Sequence, residues 1–169
     1  MDIFVIKMDS YSNVPQEMLG EFKKREISNS RRLKEHCFAY LMIDRVLREF
    51  YQIEDREIIY DNKKPIMKSG KKHFSLSHSG DYLALCFSDY PCGIDVEEKK
   101  ERNFEKIAKR MEFDCTNLEE FYSAWTRYEA EYKLAENSKS CWATVVENYA
   151  LTALSSNEDE EFTFYLQSN

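Results

Sequence analysis

Between Phe74 and Glu97 the chain reads FSLSHSGDYLALCFSDYPCGIDVE, and this stretch limits the fold more than any other. A serine-rich segment containing His78 opens it, the apolar run YLALCFS crosses its middle, and two carboxylates, Asp95 and Glu97, close it. Phe74 to Ser79 and Tyr82 to Ser88 read as two strands joined through Ser79-Gly80-Asp81, a tight turn with glycine where positive φ is favoured. Pro91 and Gly93 punctuate the chain before a third strand at Ile94 to Glu97. Side chains alternate along a strand, so Asp95 and Glu97 leave one face while Val96 enters a core from the other. Two carboxylates on one strand face are half of a site for a hard cation.

The rest of the chain predicts an α+β fold. Asp2 to Lys7 alternates apolar and polar residues as a short strand. Asp9 to Pro15 reads as a turn, and Met18, Leu19 and Phe22 suit a first helix. A stronger helix follows from about Ser30, with Leu33, Cys37, Tyr40, Leu41, Ile43, Asp44, Leu47 and Phe50 largely keeping a 3.6-residue period. Ser28 or Ser30 can cap it. Arg31 and Arg32 fall in its first turn, where the helix dipole disfavours positive charge; a nearby ligand phosphate or a surface ion pair would each explain them. Ile58 to Tyr60 and Pro65 to Met67 are short strands around DNKK. Beyond EKKERN, Phe104, Ile107, Ala108 and Met111 mark a helix, and Thr116 or Asn117 caps the next, Leu118 to about Glu136. The tail, TVVENYALTAL and FTFYLQ around the turn NEDEE, reads as a terminal hairpin.

At 169 residues the chain makes one domain or two small subdomains sharing a core. No segment is apolar or long enough to span a membrane, and the start, MDIFVIKMDS, reads as a strand and not as a signal peptide. The net charge of −7 argues against non-specific nucleic-acid binding. The charge is uneven, though: KKPIMKSGKK, Lys63 to Lys72, is strongly basic and lies directly before the Ser-His turn. It is either a solvated loop or a place where an anion is attracted. Five cysteines, Cys37, Cys86, Cys92, Cys115 and Cys141, are widely spaced without a CxxC pair, the pattern of buried reduced thiols in a cytosolic protein.

In WTRYEAEYK, Trp125, Glu129 and Lys133 are spaced by four and share one helix face. Alone, Trp125 is a core anchor and Glu129–Lys133 an ordinary pair of roughly a few tenths of a kcal/mol. Taken in order, however, FSLSHSG, GIDVE and WTRYEAEYK resemble the motifs of the 4′-phosphopantetheinyl transferases of the surfactin-synthetase-activating type. KKP at Lys63 to Pro65 is similar to the family's GKP. The resemblance runs from about Arg31 to Lys133.

It implies a phosphopantetheinyl transferase-like fold with two similar α/β halves in one chain, 1–91 carrying the nucleotide-binding SHS motif and 92–169 the metal-binding and catalytic motifs. The implied enzyme is Mg²⁺-dependent, of the holo-[acyl-carrier-protein] synthase type. It moves 4′-phosphopantetheine from coenzyme A to a serine of an acyl or peptidyl carrier protein and releases 3′,5′-ADP. By the same resemblance Asp95, Glu97 and Glu129 hold Mg²⁺, and Glu129 takes the serine proton directly or through water on the metal. Lys133 neutralises and can protonate the departing phosphate. His78 and Ser77 contact coenzyme A phosphate, with Lys64, Pro65, Arg31 and Arg32 as further nucleotide contacts. His36 and His73 have no such support. The implied protein is a cytoplasmic monomer serving fatty acid, polyketide or nonribosomal peptide synthesis, with no nucleic-acid or membrane partner.

The pattern departs from the family at Tyr128, where lysine is usual, and in length, since longer relatives continue beyond Phe164 into another strand. These departures keep open a relative that binds coenzyme A or a carrier without efficient transfer. An unrelated metal-dependent phosphohydrolase using the same three carboxylates is a third reading.

Overall fold

Four consecutive apolar residues in a six-residue strand leave no exposed face, and β1 (Asp2–Lys7) is covered on both sides. It is a two-face core strand, where the sequence suggested alternation of buried and solvated positions. The computed structural model describes residues 1–8, 30–61, 64–101 and 103–167, without the side chains of Ser30 and Arg31. The expected turn at Asp9 to Pro15, the first helix around Met18 to Phe22 and the caps Ser28 and Ser30 lie outside the described residues or side chains.

Phe4 and Ile6 of β1 face α1 (Ser30–Arg45) and the π-helical turn Val46–Phe50, packing with Leu33, Cys37, Phe38, Ile43 and Leu47. A two-stranded hairpin follows, β2 (Ile58–Asp61) and β3 (Lys64–Met67). β4 (His73–Ser79) and β5 (Tyr82–Ser88) form the expected hairpin, with Gly80 at φ +55°. β6 (Cys92–Glu98) is longer than the sequence suggested. α2 (Phe104–Met111) and α3 (Leu118–Leu134) come next. Asn117 Oδ1 accepts from Glu120 N at 3.0 Å, and the Glu120 carboxylate reaches back to Thr116 N at 2.7 Å. This reciprocal pair fixes where α3 starts.

β7 (Ser140–Val146) and β8 (Tyr149–Ser155) pair antiparallel through a turn with Glu147 at φ +51°. β9 (Thr163–Gln167) does not close a hairpin around NEDEE. It runs parallel to β1, at the far edge of the other sheet. The alternation in FTFYLQ identifies a strand but carries no information about its partner, and NEDEE is a crossover between sheets, not a turn.

The described strands form a mixed sheet, β4-β5-β1-β9, an antiparallel sheet, β6-β8-β7, and the β2-β3 hairpin, giving an α+β fold. In both larger sheets the opening strand pairs with the second strand of a later hairpin: β1 with β5, and β6 with β8. Ile3, Val5, Tyr82, Ala84 and Cys86 of the first sheet pack on Ile94, Val96, Leu151 and Ala153 of the second. Val96 therefore enters the core as its position predicts, and the opposite face of β6 and β8 is left for α2 and α3. All five cysteines are free; Cys37, Cys86 and Cys92 are buried, Cys115 is half-buried, and Cys141 is exposed on β7. Among the described residues no helix is long and apolar enough to cross a membrane.

Candidate active site

The distance between β6 and α3 is set by Gly93. A Cβ there would stand 2.1 Å from the Ala130 carbonyl oxygen and 2.8 Å from Leu134 N, so only glycine lets the helix backbone approach this closely. The approach brings Asp95 and Glu97, on the α3 side of β6, under the helix turn that carries Glu129 and Lys133. Thr126 and Thr152 join hydroxyls at 2.8 Å in the buried interface of α3 and β8, fixing the helix against the sheet.

Asp95 is only 3% exposed. Its Oδ1 accepts from Ser77 Oγ at 2.7 Å and from Lys133 Nζ at 2.7 Å. Its Oδ2 is buried and has no hydrogen-bond partner. Burying a carboxylate is costly unless every oxygen is satisfied, so one such oxygen marks a position where the fold leaves a valence open. Glu97 Oε2 accepts from Ser79 Oγ at 3.0 Å and Oε1 from the Trp125 indole at 3.3 Å. The carboxyl of Glu129 is pushed above the ordinary glutamate range, first by burial, then by the negative charges of Asp95 and Glu97, with Lys133 pulling the other way. Glu129 therefore shares one electrostatic field with both strand carboxylates. As the side chains stand, no three acidic, histidine or cysteine groups among the described residues lie at coordinating separation. The donor set nonetheless suits a hard divalent cation: oxygen ligands only, with a buried oxygen lacking a partner.

Lys133 Nζ also donates to the Ile94 carbonyl at 3.1 Å, and its own carbonyl accepts from Lys64 Nζ at 2.6 Å. Lys64 thus ties β3 to the end of α3, with Pro65 beside it paired to Tyr60. Ser77, placed by sequence at a phosphate, spends its hydroxyl on Asp95. His78 is exposed and projects from the opposite face of β4, the face shared with Phe74 and Leu76. Arg32 is exposed in the first turn of α1, and the Arg31 side chain lies outside the described residues. Tyr128 is 42% exposed and leans on Phe113 and Trp125, with ring centroids 5.9 and 6.3 Å apart.

Within the basic run, Lys68 pairs with Glu57, and Lys72 pairs with Asp89 and lies over the Tyr51 ring. Two features escaped the sequence reading. Trp125 is more than a core anchor, since its N–H holds Glu97. Ser75, Ser77 and Ser79 act as a row facing β6, a signal present in the period-two spacing of S-L-S-H-S.

No family model matches the chain. It is 27% identical over 161 residues to the 4′-phosphopantetheinyl transferase psf-1 of Bacillus pumilus, covering 79% of this chain and 68% of that protein. It is 32% identical over 123 residues to the 4′-phosphopantetheinyl transferase Sfp of Bacillus subtilis, covering 66% of this chain and 54% of the relative. The chain thus spans about two thirds of the length of one curated relative and about half of the other. Together with the order of the SHS, GIDVE and WTRYEAEYK motifs, these similarities make the chain a homologue of the Sfp-type 4′-phosphopantetheinyl transferases.

Proposed function

We propose that the chain transfers 4′-phosphopantetheine from coenzyme A to a serine of an acyl or peptidyl carrier protein. The observation that carries the reading is the meeting of Asp95, with its unpartnered buried oxygen, and Glu129, whose carboxyl is raised by burial and by its acidic neighbours. Asp95, Glu97 and Glu129 would hold Mg²⁺, which when bound supplies positive charge against the pyrophosphate. The carrier serine oxygen forms a bond to the phosphorus that bears the pantetheine arm. The P–O bond to the nucleotide breaks, and 3′,5′-ADP leaves with the electron pair. The serine proton passes to Glu129, whose carboxyl is held above its ordinary range by burial and the neighbouring acids. Lys133, already positioned between Asp95 and the Ile94 carbonyl, offers its ammonium to the departing phosphate.

His78, from the opposite face of β4, and Lys64, Pro65, Arg31 and Arg32 are assigned to the nucleotide end. The shared arrangement of three strands, β1-β5-β4 in one sheet and β6-β8-β7 in the other, supports two similar halves, 1–91 and 92–169, with β9 crossing back to the first sheet. The protein would act as a cytoplasmic monomer in fatty acid, polyketide or nonribosomal peptide synthesis.

Incubation with apo carrier protein, coenzyme A and Mg²⁺ should give a carrier heavier by one phosphopantetheine, read by mass spectrometry. No mass gain across a broad panel of carriers, alongside tight coenzyme A binding, would replace transfer with binding alone. Hydrolysis of simple phosphate esters without any carrier would point to a phosphohydrolase instead.

A further inference from the structure

Ser75, Ser77 and Ser79 alternate along β4 and face the open edge of β6, but their hydroxyls have different work. Ser75 Oγ accepts from Ile94 N at 3.2 Å and touches no carboxylate. Ser77 Oγ, buried, donates to Asp95 Oδ1 at 2.7 Å. Ser79 Oγ donates to Glu97 Oε2 at 3.0 Å while accepting from Glu98 N at 3.0 Å. Ser75 and Ser79 satisfy N–H groups of a strand edge that has no backbone partner on that side, while Ser77 and Ser79 reach an acid.

The terminal torsion of a carboxylate is broad, so the direction of its lone pairs is set by what binds it. At Asp95 both donors, Ser77 and Lys133, converge on Oδ1, and Oδ2 is the oxygen left over. At Glu97 Ser79 holds one oxygen and Trp125 the other, which fixes the plane of the group. We propose that Ser77 and Ser79 are positioning residues for a divalent-cation site, each hydroxyl fixing one oxygen of Asp95 or Glu97 so that the carboxylates are presented to the ion already oriented. The inference rests on the reading of Asp95 and Glu97 as the metal end of the site.

Ser75 supplies the internal control, because it bonds to the β6 backbone as Ser79 does, without touching an acid. Manganese(II) is the probe, with the free-ion signal followed by electron paramagnetic resonance and folding checked by circular dichroism. The wild-type chain should bind the ion. Ser77→Ala and Ser79→Ala should each weaken binding by about 10- to 100-fold, the usual cost of losing a group that orients a metal ligand. Ser77→Thr, which keeps the hydroxyl, should recover most of that loss. Ser75→Ala should leave the affinity near wild type. If Ser77→Ala does not fold, Ser79→Ala carries the test from its half-buried position. Unchanged affinity in folded Ser77→Ala and Ser79→Ala, or an equal loss in Ser75→Ala, would overturn the inference while leaving the metal reading intact. A wild-type chain that binds no manganese would instead remove the metal reading itself, and this inference with it.

Discussion

Two buried acids sit along the same seam between the sheets, built from the same parts, and only one is finished. Glu160 accepts from Ser88 on both oxygens at 3.0 Å, from Ser155 at 2.8 Å and from the Met1 ammonium at 2.5 Å. Asp95 likewise has a serine and an ammonium, Ser77 and Lys133, but both are on one oxygen. Ser88 and Ser155 end β5 and β8, so Glu160 ties together both sheets and the crossover to β9. Its satisfied carboxylate is a fastening. The unsatisfied one at Asp95 carries a desolvation cost that packing alone does not explain, and it faces Glu129, another acid kept in an unfavourable field.

If this contrast is right, stability and activity separate between the two places. Glu129→Gln should lower transfer by about 10²- to 10⁴-fold, the range for a lost general base. Stability in urea should stay within about 1 kcal/mol of wild type, or rise, since burial and two like charges already penalise the ionised form in the folded chain. Glu160→Ala should do the reverse. Glu160 is 7% exposed on its side chain, and its loss leaves two serines and an ammonium without their acceptor. The expected cost is about 3 kcal/mol by chemical denaturation, with residual transfer in proportion to the folded fraction. Equal stability losses in the two variants would erase the distinction.

A third substitution tests what holds the unfinished acid in place. Gly93→Ala would set a Cβ against backbone atoms of Ala130 and Leu134, which cannot rotate away. α3 must then shift from β6, at a cost of about 1–3 kcal/mol. Glu129 would move relative to Asp95, and a displacement of about 1 Å can lower a rate by about 10²-fold. Glu160 lies outside this contact. Gly93→Ala combined with Glu160→Ala should therefore give nearly additive stability losses, and strong coupling in a double-mutant cycle would place the two nodes in one unit.

The halves of this contrast were unequally legible in the sequence. Asp95, Glu97, Glu129 and Lys133 stand out because strand and helix periods put them on defined faces, and the structure brings those faces together. Gly80 and Asn117 were readable for the same local reason, a turn and a cap. Glu160 was hidden in NEDEE, where five polar residues suggest only a turn; its partners Ser88 and Ser155 are 72 and 5 residues away. The partner of β9 was hidden as well, because strand periodicity encodes faces and not neighbours. β1 was read as alternating because its flanking Asp2 and Lys7 are polar, although both faces of its middle are buried by distant segments. The expected first helix falls outside the described residues.

The smallest effect is a pH dependence whose sign differs between Glu160 and Glu129. Burial pushes the Glu160 carboxyl up, but hydrogen bonds from the amino terminus, Ser155 and Ser88 outweigh it, and the group ends below its ordinary value of 4.5. A carboxyl lowered on folding contributes stability at every pH above its unfolded value. That contribution declines as pH falls below about 4.5 and is gone once pH has passed through the folded value. Glu160→Gln, which keeps two of the hydrogen-bonding roles but cannot ionise, should flatten this acid limb of the curve, leaving wild type and variant closer in stability at pH 3 than at pH 7. Glu129→Gln removes a carboxyl raised on folding, so the linkage has the opposite sign and the variant should gain on wild type as pH rises. Denaturation midpoints of the three proteins across this range measure both slopes at once, and parallel curves would show that neither acid titrates differently in the fold.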